Sequence, residues 1–358
     1  MSLRKHPAFL FLAGFLFSLG LAAAAWAAAA GPAQQAYEEG ARLYQAGQFP
    51  AAAEALRKAI QLDPAMAEAH QKLGQVYFHG LKQAAPALEE MKKAVQLNPK
   101  LGEAHYELAL IYQADGKPAE MEQALCRAVA LAPRHEAAHL ALARHYLANR
   151  EADKAVQTYQ ALLAVNPTQP DALYGLARYY ETQNLLPQAR GLLEKLTKAH
   201  PGHADGWYLL GRMAEKGNRL KEATDHYRMA IAAKPDLVDA HFNLGFIYKS
   251  MDRLEDAAKQ FRDVIQLQPE YAEAHMNLGV VYTSQNKLEE AEQEYEKAVA
   301  LKPNLAEAHY NLGVFYELHK KDAGKALAQY RRYLDLGGKD ERVERIIHQL
   351  GGAPIPRR

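Results

Sequence analysis

The chain has 358 residues with 43 Lys+Arg against 42 Asp+Glu, and a formal charge of +1 leaves no global field for nucleic acid. Apolar residues make up 49% and charged residues 24%, the make-up of a folded chain rather than a disordered or collagen-like one. The single cysteine, Cys126, excludes an internal disulfide, a multi-cysteine zinc site and a CxxC redox pair.

At the start of the chain, Arg4 and Lys5 precede an apolar run from Ala8 to Ala25, and small residues follow. This is the layout of a secretory signal at residues 1–27, with cleavage expected after Ala27, Ala30 being the second choice. An uncleaved anchor at residues 8–25 is the alternative, because the run overlaps the roughly 17–25 residues needed to cross a bilayer. No cysteine follows the run, so lipid attachment of the bacterial lipoprotein kind is excluded. The expected location is extracytoplasmic, in the periplasm or its equivalent.

Beyond the leader the chain is periodic. Pro64, Pro99, Pro133, Pro167, Pro201, Pro235, Pro269 and Pro303 are separated by 35 residues once and then by 34 six times. At average proline usage this spacing arises by chance on the order of once in 10⁹ trials. Ten residues after each proline stands a small residue, Gly74, Ala109, Ala143, Ala177, Gly211, Gly245, Gly279 and Gly313, always preceded by leucine. Three residues further comes Tyr77, Tyr112, Tyr146, Tyr180, Tyr248, Tyr282 or Tyr316, with Ala214 the exception. Leucine and tyrosine four apart mark one face of a helix. The small residue is expected to let two helices cross closely while this tyrosine fills the space beside the crossing.

Gly47, Gly116, Asn184, Asn218 and Asn286 fall at one position and tolerate the left-handed conformation that ends a helix. A second apolar-periodic segment follows, such as Ala257, Phe261 and Val264, and it must stop before the next proline. Each unit is therefore a helix, a tight turn and a second helix. One pair cannot bury its apolar faces alone, whereas stacked neighbours can.

These columns resemble the tetratricopeptide repeat family, whose Leu-Gly-x-x-Tyr, Ala, aromatic and Pro positions are matched by LGFIY at 244–248 and by Ala257, Phe261 and Pro269. The resemblance implies an all-α, right-handed α-solenoid of nine units at 33–66, 67–101, 102–135, 136–169, 170–203, 204–237, 238–271, 272–305 and 306–340. One-residue insertions fall near Gly80 and near Asp322, and no internal boundary interrupts the period. Glu39 stands at the leucine position of the first unit, and Gly337-Gly338 replaces the last proline region. Val343, Ile346, Ile347 and Leu350 form a one-sided stripe at 341–350 that reads as a capping helix, with 351–358 as a tail.

His70, His105, His139, His241, His275 and His309 share one column, and Trp207 fills it in the sixth unit. The expected role is packing, because neighbouring units are spaced by about 8–10 Å and no second ligand recurs at helical spacing. Cys126 lies in a second helix and reads as buried. Glu68, Glu103, Asp171, Asp205, Asp239, Glu273 and Glu307 recur at first-helix starts, where negative charge suits the helix dipole. No nucleophile elbow or phosphate loop occurs, so neither an enzyme nor a bound cofactor or metal is expected.

The resemblance implies that first helices line a concave groove. Asn243, Asn277 and Asn311 precede the leucine in three successive units, an arrangement similar to the asparagine rows with which superhelical members of the family hold peptide backbones. Duplication of a tolerant exposed site is the alternative. Arg144, Arg178 and Arg212 follow the Gly/Ala column, either as a basic stripe for acidic partners or as an ion-pair row joining Arg144 to Asp171 and Arg178 to Asp205. Tyr106, Tyr174, Tyr208, Phe242 and Tyr310 stand one place before the asparagine column as candidate interface anchors. That column holds Gln71, Leu140 and Met276 elsewhere and no lysine, which argues against the lysine clamp for chaperone C-termini.

The expected function is an exported scaffold that binds protein or extended peptide partners, acidic ones where the arginines are used, and touches a membrane only through an uncleaved leader. The alternatives are a structural tether or assembly factor of a cell-envelope complex, and an accessory subunit of a transferase or glycan-processing complex.

Overall fold

The computed structural model describes residues 31–349. The expected leader at 1–27, the alternative anchor at 8–25, Leu350 and the tail at 351–358 lie outside the described residues. Among the described residues there is no strand, and no helix is long and apolar enough to cross a membrane. The chain divides into two compact units between Ala172 and Leu173. The uninterrupted period carries no sign of this boundary, because Pro167, Leu176 and Pro201 pass through it in register.

In the first unit the order is α1 (Pro32–Gln45), α2 (Phe49–Leu62), α3 (Ala67–Gln75), α4 (Ala84–Leu97), α5 (Gly102–Ala114), α6 (Pro118–Leu131), α7 (Glu136–Ala148) and α8 (Ala152–Val165). Helix α9 (Pro170–Thr182) contains the division. The second unit continues with α10 (Leu186–Ala199), α11 (Ala204–Lys216), α12 (Leu220–Ala233), α13 (Val238–Ser250) and α14 (Leu254–Leu267). It ends with α15 (Ala272–Ser284), α16 (Leu288–Leu301), α17 (Ala306–Phe315), α18 (Ala323–Asp335) and α19 (Glu341–Gln349). Odd-numbered helices open successive pairs, and α19 follows the ninth pair alone.

The expected turn residues take the left-handed conformation, with φ of 73° at Gly47, 66° at Gly116, 58° at Asn184, 55° at Asn218 and 60° at Asn286. Asp252 (58°), like the asparagines, tolerates this conformation in the seventh pair, whereas Arg150 (63°) occupies it in the fourth at a cost of about 1–2 kcal/mol. The two insertions become π-helical turns, Val76–Gly80 after α3 and Tyr316–Lys320 after α17. Widening one turn absorbs the extra residue while Tyr77 and Tyr316 stay buried in register. Second helices stop where the following proline forbids helical backbone: Gln268 is extended, at φ −137° and ψ 88°, before Pro269.

Where the small residue is glycine the crossing is close, and the side chain that fills it, a ring in the sixth to ninth pairs, comes from the second helix rather than from the tyrosine three residues on. A β-carbon at Gly211 would lie 2.6 Å from the Tyr227 ring, at Gly245 2.9 Å from Phe261, at Gly279 2.8 Å from Tyr295 and at Gly313 2.7 Å from Tyr330. Ala109 and Ala177 face a different choice, since their pairs bury Leu125 and Leu193 at the ring position. Three pairs depart from this matching, Ala143 with Tyr159, Gly40 with Leu56 and Gly74 with Met91. Four residues before that position runs a fully buried alanine column, Ala52, Ala87, Ala155, Ala189, Ala223, Ala257, Ala291 and Ala326, broken only by the partly exposed Met121.

Cys126 is exposed, contrary to the sequence expectation. Helix α6 buries Ala124, Leu125 and Ala128, and Cys126 falls off that face with its Sγ 3.5 Å from the Tyr146 hydroxyl. At the far end of the second unit α19 buries Val343, Ile346 and Ile347. Arg342 donates to both oxygens of Glu317 at 3.0 and 3.1 Å, and the Tyr330 hydroxyl donates to the same carboxylate.

Candidate functional site

The histidine column belongs to the fold. Each Nε2 lies near the carbonyl of the proline six residues earlier, from 2.9 Å for His275 and Pro269 to 3.3 Å for His70 and Pro64. A carbonyl can only accept, so Nε2 carries the proton and donates. Trp207 donates Nε1–H to Pro201 in the same way at 2.9 Å, which explains why tryptophan and histidine alternate at this position. The other ring nitrogen meets Glu90, Gln260, Glu294 or Gln329 on the paired helix at 2.5–2.8 Å. In the fourth pair Thr158 stands there and donates to Lys154 instead, leaving His139 Nδ1 buried without a partner.

Residues of the column before the asparagines and of the column after the small residue are four apart on each first helix, so they share one face. In the first unit that face carries Tyr106 and Leu110 on α5 and Leu140 and Arg144 on α7. Arg144 is exposed and makes no ion pair with the described residues, so the expected contact with Asp171 is not formed; Asp171 instead accepts from Gln169 at 3.3 Å. The Tyr106 ring packs on His135 at 4.4 Å between centroids, and burial pushes its hydroxyl above the ordinary tyrosine value. Tyr106, Leu110, Met121, Leu125 and Arg144 line a cleft of about 470 Å³.

In the second unit the arginines part company. The Arg178 guanidinium lies over the Tyr174 ring at 5.9 Å and does not pair with Asp205. Arg212 reaches back to Glu181 of the preceding pair at 3.6 Å, and Lys216 approaches the same carboxylate at 3.4 Å. The aromatic column is braced by neighbours: Tyr174 by His203 at 5.3 Å, Tyr208 by Tyr227 at 5.7 Å, Phe242 by Tyr271 at 5.1 Å and Tyr310 by Tyr333 at 5.2 Å.

The three asparagines share a register but not an environment. Asn243 donates to the hydroxyls of Tyr208 and Tyr227, both at 3.3 Å. Asn277 is buried, donates to the Glu273 carbonyl at 2.8 Å and accepts from Lys249 at 2.8 Å. Asn311 makes no side-chain hydrogen bond to the described residues and is half-buried.

Sequence reasoning missed two features here. Phe246, Val280 and Val314 continue the register of the three arginines, so the same face turns apolar in the seventh to ninth pairs; reading that column to its end would have found them. Lys249 has no carboxylate partner among the described residues, lies over the Phe246 ring at 4.4 Å, and is held below the ordinary lysine value by burial. Among the described residues no cluster of three or more His, Cys, Asp or Glu is arranged to hold a metal ion.

A family model described as TPR repeat matches residues 40–80, 247–283 and 279–319. Models described as Tetratricopeptide repeat match 106–172, 140–195 and 174–238, and 67–101. Together these spans take in well over half of the chain. The chain is similar to solved structures over part of its length. One is YrrB, described as a TPR protein with an unusual peptide-binding site, with 21% identity over 54% of this chain and 98% of that one and a TM-score of 0.48. Another is pilF of Pseudomonas aeruginosa, with 20% identity over 57% and 92% and a TM-score of 0.48. A third is a tetratricopeptide repeat protein from Parabacteroides merdae, with 15% identity over 70% and 98% and a TM-score of 0.45. No curated protein matches the chain.

Proposed function

We propose, from the premise that the chain belongs to the tetratricopeptide repeat family, that it is a non-enzymatic scaffold whose nine units bind protein or peptide partners on the face formed by their first helices. The observation that carries this reading is the face itself. Its side chains vary from pair to pair while the columns that build the fold repeat, and among the described residues some are left without a polar partner: Arg144 has no acidic partner and Asn311 has no side-chain hydrogen bond.

Tyr174, Tyr208, Phe242 and Tyr310 supply rigid anchors, held by the neighbours that brace them. Arg144, Arg178 and Arg212 favour acidic segments, most strongly at Arg144, where no internal carboxylate competes. Asn243 and Asn311 offer amides to a partner's backbone, and Asn277 acts through Lys249, which it holds. The leader at residues 1–27 supports placement outside the cytoplasm.

Site-specific photo-cross-linkers test the reading in cells of the source organism. Placed at Arg178 and Val280 they should capture the partner, whereas one at Lys259 on α14 should not. Capture only at Lys259 would refute groove recognition and favour a tether that works through its outer surface.

A further inference from the structure

We propose that the cleft between α5, α6 and α7 receives an acidic–apolar step of an extended partner segment, with a bulky apolar side chain inside and the neighbouring carboxylate on Arg144. The inference rests on the scaffold reading and names the partner chemistry of one part of that face.

The cleft exists because small residues stand on one wall and a departure from the repeat pattern stands on the other. Ala141 and Ala148 of α7 leave space, while Met121 of α6 takes a position that is alanine in the other pairs and offers a flexible thioether. Leu125 forms a fully buried floor. The Tyr106 wall is set in advance: His135, against which it packs, takes the Ala138 N–H at 3.2 Å and faces Glu103 at 2.9 Å. A wall that does not move costs a ligand little ordering. A volume of about 470 Å³ is within the range of small-ligand pockets and holds a large apolar side chain.

Charge selects the other half of the ligand. No carboxylate lines the cleft. Lys117 on its rim is already paired with Asp115 at 2.5 Å. Acids around the cleft are paired as well, Glu103 with His135 at 2.9 Å, Glu107 with His79 at 2.7 Å and Glu122 with the lining His145 at 3.3 Å. Among the described residues Arg144 has no paired carboxylate, and its planar guanidinium fork matches one. Gln113, Lys117 and Arg144 are exposed along one side, so a chain can run past the opening with one side chain turned in.

The probes are the capped peptides Ac-Gly-Glu-Phe-Gly-NH2 and Ac-Gly-Gln-Phe-Gly-NH2, titrated into the purified protein labelled with ¹³C at its methionine methyls. The Met121 signal is assigned by Met121→Leu. The glutamate peptide should shift Met121 saturably and leave Met213 and Met276 unmoved. Both the glutamine peptide and the Arg144→Gln variant should weaken binding about tenfold. An unchanged unfolding midpoint for Arg144→Gln, expected at an exposed unpaired side chain, shows that the loss is one of binding.

No saturable Met121 shift, equal affinity for the two peptides, or full affinity in Arg144→Gln overturns the proposal. So does tighter binding of free 3-phenylpropanoate than of the peptide, which would make the cleft a small-anion site. If the probes fail while cross-linkers at Arg178 and Val280 still capture a partner, only the cleft assignment falls. If Met121 responds while capture occurs only at Lys259, the scaffold reading falls instead.

Discussion

Gly211→Ala tests the account of how each helix pair closes. The added β-carbon would stand 2.6 Å from Cε1 and 2.7 Å from Cδ1 of Tyr227, closer than carbon atoms tolerate. The ring cannot swing aside, because it is fully buried and its hydroxyl donates to Glu215 at 2.6 Å while accepting from Asn243 at 3.3 Å. Overpacking of this kind costs about 1–3 kcal/mol, and replacing glycine by alanine inside a helix returns about 1 kcal/mol. With the ring pinned the upper part of that range applies, so the net loss should be about 1–2 kcal/mol. Urea unfolding followed by far-ultraviolet circular dichroism measures it.

Two companions make the test specific. Gly191→Ala on α10, where nothing lies within 4 Å of the new carbon, should stabilise by about 0.5–1 kcal/mol. Gly211→Ala combined with Tyr227→Leu recreates the alanine and leucine of the third and fifth pairs, and should show a favourable coupling of about 0.5–3 kcal/mol. A Gly211→Ala protein as stable as its parent, or additive effects in the double variant, would refute the reasoning.

Other consequences can be measured on the same material. Asn277→Ala should cost about 1–3 kcal/mol in urea unfolding because it leaves a space in a buried site and removes the oxygen to which the half-buried Lys249 donates, whereas Asn311→Ala should cost less than about 0.5 kcal/mol; equal costs would contradict the different environments of the two. Arg150→Gly should raise the unfolding free energy by about 0.5–1 kcal/mol, since relief of left-handed strain exceeds the entropy that glycine loses, and a lower stability would count against that strain.

Acid stability gives a further check. Burial holds His139 below the ordinary histidine value, against its bond to Pro133. A base depressed on folding contributes stability that is present above its unfolded value of about 6.5 and is lost as pH falls through the folded value. His139→Trp, the residue type of Trp207, removes this titration, so the midpoint difference should move in the variant's favour between pH 7 and pH 5. A constant difference would count against it. Finally, Ile347→Ala should loosen α19 by about 2–5 kcal/mol, seen as faster amide exchange confined to that helix and its neighbours.

The helix pairs, their turns and their ends were legible in the sequence because they obey local rules. Proline excludes helical backbone before itself, glycine and asparagine admit positive φ at Gly47 or Asn184, and an apolar face recurs at helical spacing. Even the insertions near Gly80 and Asp322 were visible as breaks in the count. Conformation was not: only the folded chain shows that each becomes a π-helical turn, or that Arg150 takes the left-handed turn that asparagine and aspartate take more readily.

What occupies the space between helices depends on residues far apart in the chain. Tyr227 fills the crossing at Gly211 because a neighbouring helix delivers it there, and the nearer tyrosine column points elsewhere. The candidate face shows the same limit. Asn243, Asn277 and Asn311 are identical in type and register, yet one is held by two tyrosines, one is buried against Lys249 and one makes no side-chain hydrogen bond to the described residues. Arg144, Arg178 and Arg212 differ in the same way. Period and composition determined which residues share a face, whereas whether each is free to meet a partner was decided by the side chains that the next pair brings within hydrogen-bonding distance.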